Sequence, residues 1–150
     1  MKYKKPFIIG GLFLAVSALI ILALSLFRYD FAVKMGGKVF QMEVADTDFL
    51  REKGLSEHNP LALNQGMIFI FDKPDIYKFW MKDMNFPLDI IWVSEDMRIT
   101  HIERWLAPET YPKEYSSTLP SKYVIEVNAG VSDYLGLKIG DQVSFFRNRR

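Results

Sequence analysis

Gly66-Met67-Ile68-Phe69-Ile70-Phe71, closed by Asp72-Lys73-Pro74-Asp75, sets the architecture of this chain. Five consecutive apolar residues, rich in Ile and Phe and bounded by turn formers, are too few for a helix and suit a strand buried on both faces. A strand of that kind belongs at the centre of a sheet. The residues on either side are therefore expected to supply its neighbours.

Downstream, Tyr77 to Lys82 is predicted as a second strand, Asn85-Phe86-Pro87 as a break and Leu88 to Val93 as a third strand. Ser94-Glu95-Asp96-Met97 reads as a hairpin tip with Arg98 to Trp105 as its return arm. Leu106 to Pro120 holds three prolines and two tyrosines and is predicted as a long irregular loop. Lys122 to Asn128 returns to strand, Ala129 to Tyr134 makes a helical turn stopped by Gly136, and Gln142 to Phe146 closes the domain as a last strand.

Upstream, Phe40, Met42 and Val44 alternate with Gln41, Glu43 and Ala45, the period of a half-buried strand. Asp46-Thr47-Asp48 then offers capping oxygens for a short helix over Phe49 to Lys53, ended by Gly54. The expected fold is mainly β, a β-rich α+β domain: a small antiparallel barrel-like or curved sheet with two short helices.

Residues 6–27 form an apolar run interrupted only by Gly and Ser, the length that a bilayer's hydrocarbon requires. Lys2, Lys4 and Lys5 precede it, so the positive flank stays in the cytoplasm and the remainder is carried across. The organisation expected is a basic flank (1–5), a transmembrane signal anchor (6–27) in contact with the lipid bilayer, a linker (28–38), an exported domain (39–146) and a basic tail (147–150). The alternative is a cleaved secretory signal, because Ala23 and Ser25 have the small-residue spacing of a cleavage site. Either way the domain is extracytoplasmic.

The chain has no cysteine, which removes disulfides, thiolate nucleophiles and lipoprotein acylation. Without the three leading lysines it carries 16 basic against 18 acidic side chains. That balance argues against nucleic acid as a partner, since such binding needs a concentrated positive face.

The densest chemistry lies in Phe79-Trp80-Met81-Lys82-Asp83-Met84-Asn85-Phe86-Pro87-Leu88-Asp89. On a strand, Trp80 and Lys82 share one face while Phe79, Met81 and Asp83 share the other. An indole beside an ammonium suits a planar or sugar-like ligand bearing negative charge. The plainer alternative makes Trp80 core, lays Lys82 along it and uses Asp83 and Asp89 as turn stabilisers. Asp83, Asp89, Glu103 and Glu126 are the carboxylates from which a glycosidase pair could be drawn. His58 and His101 lack ligand spacing to a third group, so no metal is expected. Ser56, Ser116 and Ser117 lack a Gly-x-Ser-x-Gly context, and no glycine-rich phosphate loop occurs.

The block Phe79 to Met84 followed by Pro87-Leu88-Asp89-Ile90 resembles the central motif of domain-of-unknown-function family 192. Val44-Ala45-Asp46-Thr47, Gly54-Leu55, Gly66-Met67, Tyr123 to Gly130, Gly136 and Gly140-Asp141 agree with it in order, so the likeness runs from about Val39 to Phe145. The chain departs from the family pattern at Ser56, at Asp83-Met84 and at Asp96-Met97. The resemblance implies a compact, mostly β domain, often exported or membrane-anchored, and no agreed activity.

The functional expectation is a membrane-anchored, non-catalytic ligand-binding or accessory module without cofactor. Its site is placed at Trp80, Lys82, Asp83, Asp89 and Glu126, bordered by the Leu106 to Pro120 loop. The alternatives are an envelope carbohydrate hydrolase or transferase using a carboxylate pair, and a protein partner of an envelope complex. The partner is accordingly a small molecule or another envelope protein.

Overall fold

β3 (Gln65–Asp75) lies in the middle of a seven-stranded sheet, as its apolar run predicts. The structure, a computed structural model, describes residues 31–147 together with Ser17. The expected bilayer segment over 6–27, apart from Ser17, and the tail after 147 lie outside the described residues. Among the described residues no helix is long and apolar enough to cross a membrane.

From residue 31 the chain forms β1 (Phe31–Met35) and β2 (Lys38–Ala45), an antiparallel hairpin turning at Gly36 and Gly37. Both glycines have positive φ, +55° and +77°, as two-residue turns matched to strand twist require. Residues expected as linker up to position 38 thus include a strand of the sheet. α1 (Asp48–Lys53) follows. Its Thr47 Oγ1 accepts the Leu50 N–H at 3.3 Å, and the Gly54 N–H donates to the Leu50 carbonyl at 2.9 Å, so both ends are satisfied as the sequence indicates.

After β3 come β4 (Lys78–Phe79), β5 (Leu88–Val93), β6 (Ile99–Leu106), β7 (Tyr115–Ser116), β8 (Ser121–Asn128), α2 (Val131–Tyr134) and β9 (Ser144–Arg147). The main sheet runs β6-β5-β8-β3-β2-β1-β9, and β4 pairs only with β7. Two expectations are corrected here. The sheet is mixed, because β2 and β3 are parallel, joined through α1. It is also not a closed barrel: β6 and β9 are its edges, and they meet only at one end, through the Arg98–Gln142 bridge and backbone hydrogen bonds from the Val143 N–H to the Met97 carbonyl at 2.9 Å, the Ile99 N–H to the Asp141 carbonyl at 3.0 Å and the Gly140 N–H to the Ile99 carbonyl at 2.8 Å.

Both faces of the central strands are buried. Ile68, Ile125, Ile91 and Ile102 form a row across β3, β8, β5 and β6 on one face, packed with Val33, Met42 and Leu137. On the opposite face, Phe69, Val124 and Trp92 form a parallel row. Leu55, Met81, Phe86 and Tyr115 cover that second face from the connecting segments. The segment expected as a strand from Tyr77 to Lys82 pairs only over Lys78–Phe79. What fixes the rest is burial of Met81, 1% exposed, and Phe86, 5% exposed.

Candidate functional site

The row next to Phe69, Val124 and Trp92 contains an irregularity. Glu126 of β8 stands opposite Met67 on one side and Ile90 on the other, so a carboxyl group occupies an apolar sheet face. Its residue is 4% exposed and Oε2 has no hydrogen-bond partner. Burial pushes its pKa up to about 8, so the group is largely a neutral acid at pH 7.

Glu126 lies at the base of an open hollow of about 240 Å³. α1 and the turn after it form one side, contributing Arg51, Glu52, Lys53, Gly54 and Ser56. Gly54 has φ +51°, and a Cβ there would stand 3.3 Å from Phe69 Cζ and 3.9 Å from Glu126 Oε2, so the missing side chain leaves room beside the acid. Aromatic rings form the other side. Phe71 and Tyr77 stack at 3.5 Å with 10° between planes, and Phe79 meets Phe69 edge-on at 4.8 Å. Trp80, 43% exposed, stands at the rim with its ring 6.4 Å from Tyr111 of the long loop.

The rim is cationic. Arg51 is fixed by Asp48 at 2.7 Å and by the carbonyls of Asp46 and Ile70, with its guanidinium 5.3 Å over Phe71. Lys78 pairs with Glu114 at 2.7 Å. Lys53 and Lys82 also line the hollow, and neither has an ion pair among the described residues. Glu52 is the one acidic side chain on the lining besides Glu126.

Three of the five residues singled out from sequence, Trp80, Lys82 and Glu126, thus line one hollow. The other two do not. Asp83, at φ +53°, faces a neighbouring shallow hollow beside Phe49 and Glu57. Its carbonyl accepts the Glu57 N–H at 2.8 Å, and the Lys82 carbonyl accepts the Ser56 hydroxyl at 2.8 Å, so this segment is tied to the turn after α1. Asp89 is fully buried. Its carboxylate accepts the backbone N–H groups of Trp105 at 2.9 Å, Gly130 at 3.1 Å and Ser132 at 2.8 Å, joining β5 to the end of β6 and the start of α2. That carboxylate is thus occupied as a backbone acceptor at this junction.

Nor does Glu103 converge on Glu126; it pairs with His101 at 3.1 Å. Phe79, placed by strand alternation on the face opposite Trp80, joins Trp80 on the lining because the chain leaves β4 between them. The contributions of Arg51, Lys53, Phe71 and Tyr77 were not legible from sequence. Among the described residues no group of three or more His, Cys, Asp or Glu could hold a metal ion.

These features define a class: a β-rich α+β domain with a mixed sheet, carrying a small aromatic-walled hollow over a buried acid. The chain belongs to the DUF192 family, described as Uncharacterized ACR, which matches residues 31–145. A protein of the related designation UPF0127 from Thermococcus sibiricus is 28% identical over 121 residues, covering 75% of this chain and 71% of that protein. Among solved structures, a protein of unknown function from Novosphingobium aromaticivorans is 35% identical with a TM-score of 0.70, covering 76% of this chain and 82% of that one. A Sinorhizobium meliloti protein, provisionally assigned as a transcription regulator, is 28% identical with a TM-score of 0.71, covering 79% and 95%.

Proposed function

We propose that this protein is a membrane-anchored extracytoplasmic binding module that holds a small ligand in the Glu126 hollow without catalysing a reaction. The carrying observation is Glu126 Oε2, buried without a partner at the base of the hollow that Trp80 and Lys82 also line. An orphaned buried polar atom costs about 1–3 kcal/mol, and a ligand group that satisfies it recovers that cost on binding. The hollow's ~240 Å³ is below the roughly 300–1,000 Å³ of drug-sized pockets, so one ring fits. Trp80 supplies the ring platform, and Lys82 with Lys53 receives a negative group on the ring. Tyr111, against Trp80, brings the long loop to the border of this site.

The apolar run over 6–27 and its basic flank support the membrane anchor, with export after signal cleavage as the alternative. A nucleic-acid role, suggested by one relative, finds no support in the near-even charge of the chain beyond its leading lysines.

The test is a thermal-shift screen of the purified protein against envelope sugars, sugar phosphates, amino acids and short peptides, repeated with Trp80→Ala and Lys82→Ala. A ligand at a hundredfold its Kd adds about 2.7 kcal/mol, which is several degrees for a domain of this size. A hit lost in both variants supports the reading. Hits that persist in both variants place the site elsewhere and overturn it, and turnover of a hit, lost in Glu126→Gln, replaces it with an enzyme.

A further inference from the structure

The hollow has two chemically different ends. Its rim carries Arg51, Lys53, Lys78 and Lys82 against Glu52, whereas its base is one carboxyl group among Phe69, Met67 and Ile90. Among the described residues none of these cations forms an ion pair with Glu126, and Arg51 and Lys78 are paired instead with Asp48 and Glu114. The titratable groups facing it are Arg51, Glu52 and Lys53 from α1, Tyr77 and Lys78 from the β3–β4 segment, and Lys82 beyond β4. Along its own sheet row, Glu43 stands beyond Met67 and Glu103 beyond Ile90. Glu43 is turned to His58 at 3.6 Å and Glu103 to His101.

We propose that the ligand is a zwitterion, with an ammonium group pairing with the Glu126 carboxylate at the base and an anionic group meeting Lys53 and Lys82 at the rim. This rests on the binding reading above and names the chemistry of that same site. A carboxyl is what the base lacks a use for in the empty state: a neutral donor role is served at every pH by an amide or hydroxyl, whereas only an acid can become the counter-charge of a cation. The surrounding rings favour the same occupant, since aromatic faces attract ammonium groups. The space that Gly54 leaves open gives access to Oε2.

The proton balance is definite. The Glu126 O–H bond breaks, its proton leaves to solvent, and the ammonium retains its own protons, so the ion pair forms with uptake of no other species. Binding at a pH where Glu126 is protonated in the free protein therefore releases a proton.

Two probe pairs test this on the full-length protein at pH 7: phenylalanine with N-acetylphenylalanine, and glucosamine 6-phosphate with N-acetylglucosamine 6-phosphate. Calorimetry in buffers of different ionisation heat counts protons, and carboxyl carbon NMR reads the state of Glu126. The expected result is binding of the amine member of at least one pair, at least about tenfold tighter than its acetylated counterpart. Proton release and ionisation of Glu126 accompany it, and Glu126→Gln loses the preference. Which pair responds tells an amino acid from an amino sugar. Acetylated probes binding as tightly as amines, with Glu126 still protonated, overturn the zwitterion while leaving the pocket reading intact. Resonances of the hollow that respond to none of the four overturn the zwitterion, and the pocket reading is then judged by the variants of the thermal-shift screen.

Discussion

Gly54 and Glu126 meet across the base of the hollow: a Cβ on residue 54 would lie 3.9 Å from Glu126 Oε2. The same Cβ would press on Phe69 at 3.3 Å, and φ at residue 54 is +51°. Gly54→Ala therefore carries a backbone cost of about 1–3 kcal/mol and fills the space beside the acid as well. Gly37→Ala is the control, since φ there is +77° and nothing lies within 4 Å of the added carbon. Urea denaturation should show both variants destabilised, Gly54→Ala more so, and a ligand of the hollow should bind more weakly to Gly54→Ala alone. Equal stability losses with unchanged binding would remove Gly54 from the site.

Glu126 makes stability depend on pH in a direction opposite to that of most carboxylates. Its pKa is raised in the folded state from 4.5 to about 8, so between those values the native state holds a proton that the unfolded state has released. Stability from this group is therefore fully present below about pH 4.5 and is lost as pH rises toward 8, at up to about 1.4 kcal/mol per pH unit. Glu126→Gln removes that slope. Urea melts at pH 5 and pH 8 should show the wild type losing stability relative to Glu126→Gln by a few kcal/mol. Parallel pH profiles would mean that water reaches the carboxyl freely.

Asp89 and Lys82 should separate stability from binding. Asp89→Ala leaves three backbone N–H groups, those of Trp105, Gly130 and Ser132, without their acceptor, and the loss expected is about 3–5 kcal/mol. Lys82 is exposed and has no ion pair among the described residues, so Lys82→Ala should change stability by no more than about 0.5 kcal/mol while weakening an anionic ligand. Chemical denaturation alongside a binding isotherm checks both. A stable Asp89→Ala would return Asp89 to the list of candidate ligand contacts.

Local signals in the chain were readable where they were self-contained. Pro87 and Ser94 bracket β5, and the Thr47 cap and Gly54 stop bracket α1, so those elements emerged close to their observed bounds. Partner direction was not readable, because alternation in Phe40 to Ala45 is the same whether β3 lies parallel or antiparallel to it. β1 escaped notice because Phe31 to Met35 sits beside a charged stretch and a glycine pair that together resemble a linker. Strand alternation misplaced Phe79 because the chain leaves the ladder after that residue. Burial of Glu126 left no local trace: in Tyr123-Val124-Ile125-Glu126-Val127 alternation puts it on the face opposite Ile125 and Val127, where a half-buried strand carries polar side chains. That α1 would bring Arg51 and Lys53 to it depends on tertiary placement that no local pattern encodes.

The join between β3 and β8 is the last point at which the sheet and the site depend on each other. Gly66 pairs with Val127, one step from the Met67–Glu126 pair. A Cβ at residue 66 would meet the Glu126 backbone oxygen at 2.6 Å, Met42 Sδ at 2.8 Å and Val127 Cγ1 at 3.0 Å. Met42 can swing aside, but the carbonyl of a central strand moves only if β8 moves. Gly66→Ala should therefore cost about 1–3 kcal/mol and raise hydrogen exchange at the amides of β3 and β8 that flank Glu126, with β1 and β9 at the far edge little changed. It should also draw the pKa of Glu126 back toward its ordinary value, as water enters the loosened row. Carboxyl NMR and exchange rates on the same sample measure both, and a variant with native stability and an unshifted Glu126 would show that the close approach of these two strands is not what keeps the acid dry.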